Sequence, residues 1–260
     1  MARIFLAFCL FYFATNTFGQ KNDTTLYHSY KSASISGLQV FFENWASETA
    51  PITKETLEKL NDTTKNIYQI FQAFYNPIDI RRTGGSEWGN DIYKNVKYFI
   101  IQNKINFSVV ESLSIDTNHL RDIELPKNEN YILLQNFRPQ LSFPNIKCVT
   151  LTDHYDSVLN RFLGNSHYKL GAGNLMSPAK SKGESEKRMQ FLSSCIKIWY
   201  GHWGGYWQLH SYPYAIRIIL DKGFQNAIVD YRMVYEGGYA YLKKVNNDWK
   251  LIKGERTWIE

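Results

Sequence analysis

The chain has 260 residues, of which 44% are hydrophobic and 21% are charged, and its mean hydropathy is -0.38. This balance is typical of a folded globular protein, and it excludes disordered, fibrous and polytopic membrane classes. The formal charge of +6 comes from 30 basic and 24 acidic residues that are spread along the chain, so we expect no nucleic-acid partner.

The N-terminus predicts a secretory signal peptide over residues 1–19. An uncharged apolar run extends from Ile4 to Ala14, and the small residues Thr17 and Gly19 precede a cleavage site before Gln20. We therefore expect an exported protein, periplasmic or secreted, with no membrane span after the signal peptide is removed.

Two helical patterns follow. Apolar residues at helical spacing predict a helix over Ser36 to Ser47. A second helix is predicted from Thr53, its N-cap, to a stop at Pro77. The polar run from Asn61 to Thr64 is a potential break of this second helix into two.

Strand patterns and loops alternate up to residue 163. Val96 to Ser112 is predicted to be one strand, or a hairpin that turns near Gln102, because it is rich in Tyr, Phe, Ile and Val. Asp116 to Asn130 is polar and lacks periodicity, so it is predicted to be a loop. Two strands and a short helix are predicted next: Tyr131 to Gln135, Ile146 to Leu151, and a helix capped by Asp153.

The C-terminal part begins after a stretch rich in Gly, Ser and Lys. This stretch, residues 164–183, is predicted to be a linker between an α+β part (20–163) and a C-terminal part (184–260). A helix is predicted from Glu184 to Trp199, followed by four strands that short turns make antiparallel. The strands are Tyr214 to Leu220, Ala227 to Tyr235, Tyr239 to Val245 and Trp249 to Lys253, with turns that include Glu236-Gly237-Gly238. The predicted fold class is α+β, with helices on an antiparallel sheet.

The C-terminal run NAIVDYRMVYEGGYAYLKKVNNDWKLIKGERTWIE resembles the closing sheet of the nuclear-transport-factor-2-like superfamily. This resemblance implies a strongly bent, cone-like antiparallel sheet around a ligand pocket. It does not choose an activity, because the superfamily holds isomerases, dehydratases and cyclases beside noncatalytic domains. The segments FFENWASETAP, IYQIFQAFYNP and YGHWGGYWQLHSYP are similar to an uncharacterised family of exported proteins of Bacteroidetes-type bacteria, a likeness that implies no activity.

An aromatic segment from Trp199 to Tyr214 holds the first candidate site. Its glycines interrupt any single core stripe, so Trp203, Trp207 and Tyr212 are candidate ligand-binding rings for a glycan or another small molecule. The alternative is that these rings plug the open end of the sheet. His202 and His210 lie in the same segment.

Asp230 and Arg232 form the second candidate site, because strand alternation puts them on one face. If this face lines a pocket, Arg232 binds a polar ligand and Asp230 is a general base. If it faces water, the two form an ordinary ion pair.

We therefore expect a noncatalytic module that binds a small molecule, a glycan or an envelope protein. The alternative is an isomerase, dehydratase or hydrolase-like enzyme with Asp230, Arg232 and either His202 or His210 in one pocket. Neither a metal ion nor a cofactor is expected, since no metal-ligand spacing or nucleotide motif is present.

The mature chain has two cysteines, Cys148 and Cys195, both in apolar surroundings. We expect two separate buried thiols, although export also permits a disulfide.

Overall fold

The computed structural model describes residues 24–84, 90–123, 125, 131–164, 182–200 and 207–259. The predicted signal peptide, most of the predicted linker, His202 and Trp203 lie outside these ranges. The α-helices of the described ranges are α1 (24–31), α2 (Ile35–Glu48), α3 (Lys54–Glu58), α4 (Asp62–Phe74), α5 (Asp153–Phe162) and α6 (Lys182–Leu192). The strands are β1 (Tyr98–Gln102), β2 (Lys104–Val110), β3 (Ile132–Gln135), β4 (Lys147–Leu151), β5 (Trp199–Tyr200), β6 (Trp207–Gln208), β7 (Tyr214–Asp221), β8 (Asn226–Met233), β9 (Glu236–Val245) and β10 (Asp248–Ile259). The α+β class is therefore confirmed.

Local capping explains where the first helices begin. The side chain of Ser34 accepts a hydrogen bond from the Gly37 amide and starts α2, whose apolar stripe is buried as its spacing predicts. The side chain of Asn61 accepts from the Thr64 amide at 2.8 Å, which starts α4 as a separate helix. The potential break in the second predicted helix is thus confirmed.

The stretch from Val96 to Ser112 forms two strands in two sheets, so neither a single strand nor a hairpin is present. β1 pairs in parallel with β4 in a two-stranded sheet, whereas β2 joins a six-stranded sheet. The hydrophobic pattern marks both strands but does not say which partner each one pairs with.

The six-stranded sheet has the order β10-β9-β8-β7-β2-β3. The four C-terminal strands pair as antiparallel neighbours, as predicted. β2 pairs in parallel with β7, and β3 pairs antiparallel with β2 at the edge. This sheet therefore takes strands from both sides of the predicted linker.

Two hydrophobic cores lie on opposite faces of the β1-β4 sheet. Phe99 and Ile101 point into the sheet core, which packs α4 against the six-stranded sheet. Tyr98 and Ile100 point into the helix core, which contains residues of α1, α2, α5 and α6. Alternation along β1 makes this short strand the wall between the two cores, which is why all five of its residues are buried.

Two predicted boundaries are wrong. The helix predicted from Glu184 to Trp199 ends at Leu192, and Trp199 lies in β5. The turn predicted at Glu236-Gly237-Gly238 lies at Val234 and Tyr235, and the two glycines are inside β9. A Cβ on Gly238 would lie 2.0 Å from the Glu255 carbonyl oxygen, so glycine is required there for close strand approach.

The predicted loop from Asp116 to Asn130 contains a 3-10 helix, Thr117–Asp122. Its Leu120 is completely buried, and Lys253 of β10 donates to the Thr117 carbonyl at 2.6 Å. This segment therefore packs on β9 and β10, although its polar composition is typical of a loop.

Candidate functional site

The aromatic segment is divided between the two cores. Trp207 and Tyr212 are each 6% exposed, but Trp207 packs in the helix core and Tyr212 in the sheet core. The backbone amide of Tyr212 donates to the Tyr93 hydroxyl at 2.6 Å, and its own hydroxyl is hydrogen-bonded to Gln208. These two rings therefore do not line one common surface, and a glycan site that includes Trp203 stays a prediction.

Asp230 forms an ion pair with Arg217. The Nε of Arg217 donates to Oδ2 of Asp230 at 2.9 Å, because the two residues are direct cross-strand partners on β7 and β8. The Nη1 of Arg217 also donates to the Tyr131 hydroxyl at 2.8 Å. Burial raises the pKa of Asp230, while the nearby guanidinium acts in the opposite direction.

Arg232 shares a face with Asp230 but binds elsewhere. Its Nε donates to the Val234 carbonyl at 3.0 Å, and its guanidinium lies 5.9 Å from the centre of the Trp258 ring. Tyr231 lies between Asp230 and Arg232 on β8, and its side chain points into the sheet core on the other face of the strand. Val229 and Met233 point into the same core. Asp230 therefore forms its ion pair with Arg217, which is opposite it on β7, rather than with Arg232, which is two positions away on β8.

The ring of His210 packs against the ring of Tyr214, with the ring centres 4.9 Å apart. Burial lowers the pKa of His210 to about 4, so the imidazole is neutral at pH 7. The convergence of a histidine with Asp230, which the enzyme hypothesis requires, stays a prediction for His210, and His202 lies outside the described part of the chain.

A cleft of about 470 Å³ lies between the end of α4 and the first half of β10. It is an open groove rather than an enclosed pocket, and its volume falls within the range of about 300 to 1,000 Å³ that is usual for small-ligand sites. Its lining residues are Ala73, Asp79, Arg82, Trp249, Lys250, Leu251 and Ile252.

Arg82 is the central polar group of this cleft. It belongs to a 3-10 turn, Ile80–Thr83, which is held in place by the burial of Ile80 and by a hydrogen bond of 2.6 Å from the Thr83 hydroxyl to the Ile80 carbonyl. One Nη of Arg82 donates to the Ala73 carbonyl in the last turn of α4, where a cation is favourable for the helix dipole. Its Nε is buried and has no hydrogen-bond partner. Burial lowers the pKa of Arg82, and Asp79 opposes that shift.

The β10 side of the cleft combines apolar and cationic groups. Trp249 is fixed because its Nε1 donates to Oδ1 of Asn66 at 2.8 Å. The register shifts between Leu251 and Lys253, and this bulge leaves Ile252 with 48% of its surface exposed. Lys250 also lines the cleft, but alternation along β10 puts its side chain on the sheet face opposite to Trp249, beside Lys243 of β9. The charged side chains on the α4 side of the cleft are therefore those of Arg82 and Asp79.

Sequence reasoning missed this cleft. Arg81-Arg82 is one of the densest basic pairs of the chain, but nothing in the local pattern links it to residues 249–252. The cleft exists because α4 packs across β10, which is a tertiary contact.

No group of three or more His, Cys, Asp or Glu side chains in the described ranges has the arrangement of a metal site. No helix among those ranges is long and apolar enough to cross a membrane.

Comparisons with known proteins gave no match: no family model, no curated protein and no solved structure is similar to this chain.

Proposed function

We propose that this protein is an exported, noncatalytic binding module of the periplasm or the secreted fraction, and that the cleft between α4 and β10 is its ligand site. The cleft itself is the observation that carries this proposal, because its lining combines the side chain of Arg82 with the exposed apolar side chain of Ile252. A concave surface that combines apolar side chains with a few polar groups is the usual form of a small-ligand site.

The shape of the sheet belongs to the same proposal. We propose that β7 to β10 bend into the cone that the nuclear-transport-factor-2-like resemblance implies. Three register shifts support it, one in the β7-β8 pair and two in the β9-β10 pair, since bulges bend a strand and increase its twist. Both shifts of the second pair lie in β10, the strand that lines the cleft.

The test is a ligand screen by thermal denaturation, with oligosaccharides, small carboxylates and short peptides as separate sets. We expect at least one set to raise the melting temperature of the mature protein. The increase should be lost in Arg82→Gln and altered in Asp79→Asn, because both side chains belong to the cleft lining. Lys187→Ala is the matched control, because Lys187 is an exposed lysine of α6, which packs on the other core. A ligand whose effect is unchanged in both cleft variants would contradict the assignment of the site.

An enzyme is the second candidate, because the buried carboxyl of Asp230 has a raised pKa, as a general base of the isomerase, dehydratase or hydrolase class requires. Its ion pair with Arg217 equally suits a structural role. If a turnover assay on a ligand from the screen detects product, Asp230→Asn should abolish it. If no ligand is turned over, the noncatalytic proposal holds.

A further inference from the structure

We infer that residues 111–123 form a strap that closes the outer face of the six-stranded sheet, and that this strap opens while both cores stay folded. The outer face is the face opposite to α4 and to the sheet core. Opening of the strap uncovers a row of apolar side chains on the face that also carries Asp230.

The first argument is that the outer face has buried apolar side chains of its own. Ile219, Ile228 and Tyr241 are direct cross-strand neighbours on β7, β8 and β9. The residues before and after each of them point into the sheet core, so alternation puts this row on the outer face. The three side chains are at most 7% exposed, although they belong to neither core. Another segment of the chain must therefore cover them.

The strap reaches this row from the side of β9 and β10. Its 3-10 helix contacts both strands, and its Leu120 is completely buried. Lys253 is directly opposite Tyr241 and donates from Nζ to the Thr117 carbonyl at 2.6 Å. Because directly opposite residues share a face of the sheet, this bond puts the strap on the outer face, with Leu120 at the Tyr241 end of the row.

The second argument is that few interactions hold the strap closed. Among the described residues, two hydrogen bonds link it to the rest of the chain, and a lysine side chain donates each of them: Lys253 to the Thr117 carbonyl, and Lys222 to the Glu111 carboxylate. Leu120 is its one buried residue, whereas β8 is paired with a neighbour on each side. A segment with few buried side chains and few hydrogen bonds opens at a lower free energy than the strands of a core.

The open strap changes access to the ion pair of Asp230. Asp230 follows Ile228 by two positions on β8, and Arg217 precedes Ile219 by two positions on β7, so the pair borders the apolar row on the same face. Asp230 is the candidate general base, and its side chain is 12% exposed in the closed state. The strap therefore controls access to the face on which this carboxyl lies.

The test measures the rate of tryptic cleavage after Arg121 in the folded mature protein. Arg121 is an exposed residue of the 3-10 helix of the strap. The cleavage product is followed by mass spectrometry at several urea concentrations below the unfolding transition, and global stability is measured by urea denaturation in parallel. When opening and closing are fast, the cleavage rate follows the population of the open form.

We expect the cleavage rate in the wild type to depend on urea much less steeply than global unfolding does, because strap opening exposes little surface. Leu120→Ala should increase the rate at least about tenfold, since it removes the buried side chain of the strap. Lys253→Met should increase it about threefold, since it removes one hydrogen bond. Leu38→Ala is the matched control, because this leucine is equally buried but lies in the helix core. It should lower global stability and leave cleavage after Arg121 unchanged.

A second measurement identifies the surface that opening exposes. Leu120→Asp should hold the strap open, because an unpaired carboxylate is unfavourable at a buried position. This variant should keep a cooperative urea transition and should increase the fluorescence of anilinonaphthalene sulfonate, a dye that binds exposed apolar surface. The wild type should not increase this fluorescence.

Four results would overturn the inference. Cleavage after Arg121 would depend on urea as steeply as global unfolding does, or Leu120→Ala and Lys253→Met would both be cleaved at the wild-type rate. Leu120→Asp would fold without binding the dye, or it would not fold at all, which would show that the strap is part of the global folding unit.

Discussion

Replacing Arg217 with Met should destabilise the protein, and the cost should depend on pH. The substitution leaves Asp230, whose side chain is 12% exposed, without the guanidinium that is 2.9 Å from its Oδ2. Breaking a buried ion pair costs about 3 to 5 kcal/mol, and the partial exposure of Arg217 places this pair lower, at about 2 to 3 kcal/mol near neutral pH.

The sign of the pH dependence follows from the pKa of Asp230. That pKa is already raised by burial, and Arg217 is the group that lowers it, so the variant should have a still higher pKa at this carboxyl. A raised pKa in the folded state means that the folded protein binds more protons than the unfolded chain. Stability is therefore lost as pH rises through the folded pKa, and more is lost in the variant.

The assay is urea denaturation of the wild type, Arg217→Met, Asp230→Asn and the double variant, at about pH 4.5 and about pH 7.5. The single Arg217 variant should lose more free energy of unfolding at the higher pH than at the lower. The double variant should lie within about 1 kcal/mol of the wild type, because both charges are removed together. An equal loss at both pH values, or a double variant no more stable than Arg217→Met, would refute this reasoning.

Three further predictions concern other parts of the molecule. Burial raises the pKa of Asp156 from 3.8 to about 6, so Asp156→Asn should stabilise the protein near neutral pH, by at most about 3 kcal/mol, and this gain should shrink at about pH 4 in calorimetry. Trp45 is completely buried and its Nε1 donates to the Thr150 carbonyl at 2.9 Å, so Trp45→Phe should lower the free energy of unfolding by about 2 to 4 kcal/mol in urea titrations. Cys148 packs against the sheet core and Cys195 lies in the helix core as free cysteines, so thiol titration of the denatured, unreduced mature protein should find both, and a count of none would contradict the structure.

Matched controls for the Asp156 and Trp45 predictions lie in the same two helices. Val40→Ala removes an exposed side chain of α2, the helix that contains Trp45, and it should leave stability nearly unchanged. Asp153→Asn changes a half-exposed carboxylate of α5 that pairs with Lys104, and it should not reproduce the stabilisation expected for Asp156→Asn. A gain of equal size in both α5 variants would show that helix charge, rather than burial, is responsible.

The sequence by itself determined the local elements of this protein. Helix α2 follows from an apolar stripe on one face, and the break before α4 follows from a residue that is able to cap a new helix. The alternation along β8, and the antiparallel order of the last four strands, follow from patterns and turns within about fifty residues. The α+β class follows from these elements.

The tertiary structure alone decided which elements meet. β1 and β2 are separated by one residue, yet they belong to different sheets, because pairing depends on partners far along the chain. The partner of Asp230 was misjudged for the same reason, since Arg217 lies across the strand while Arg232 is near only in sequence. The candidate cleft joins Arg82 to residues 249–252, and no local pattern records that contact. Periodicity indicates which face of an element is buried, but packing between distant segments determines what covers that face. The candidate cleft is formed by such packing.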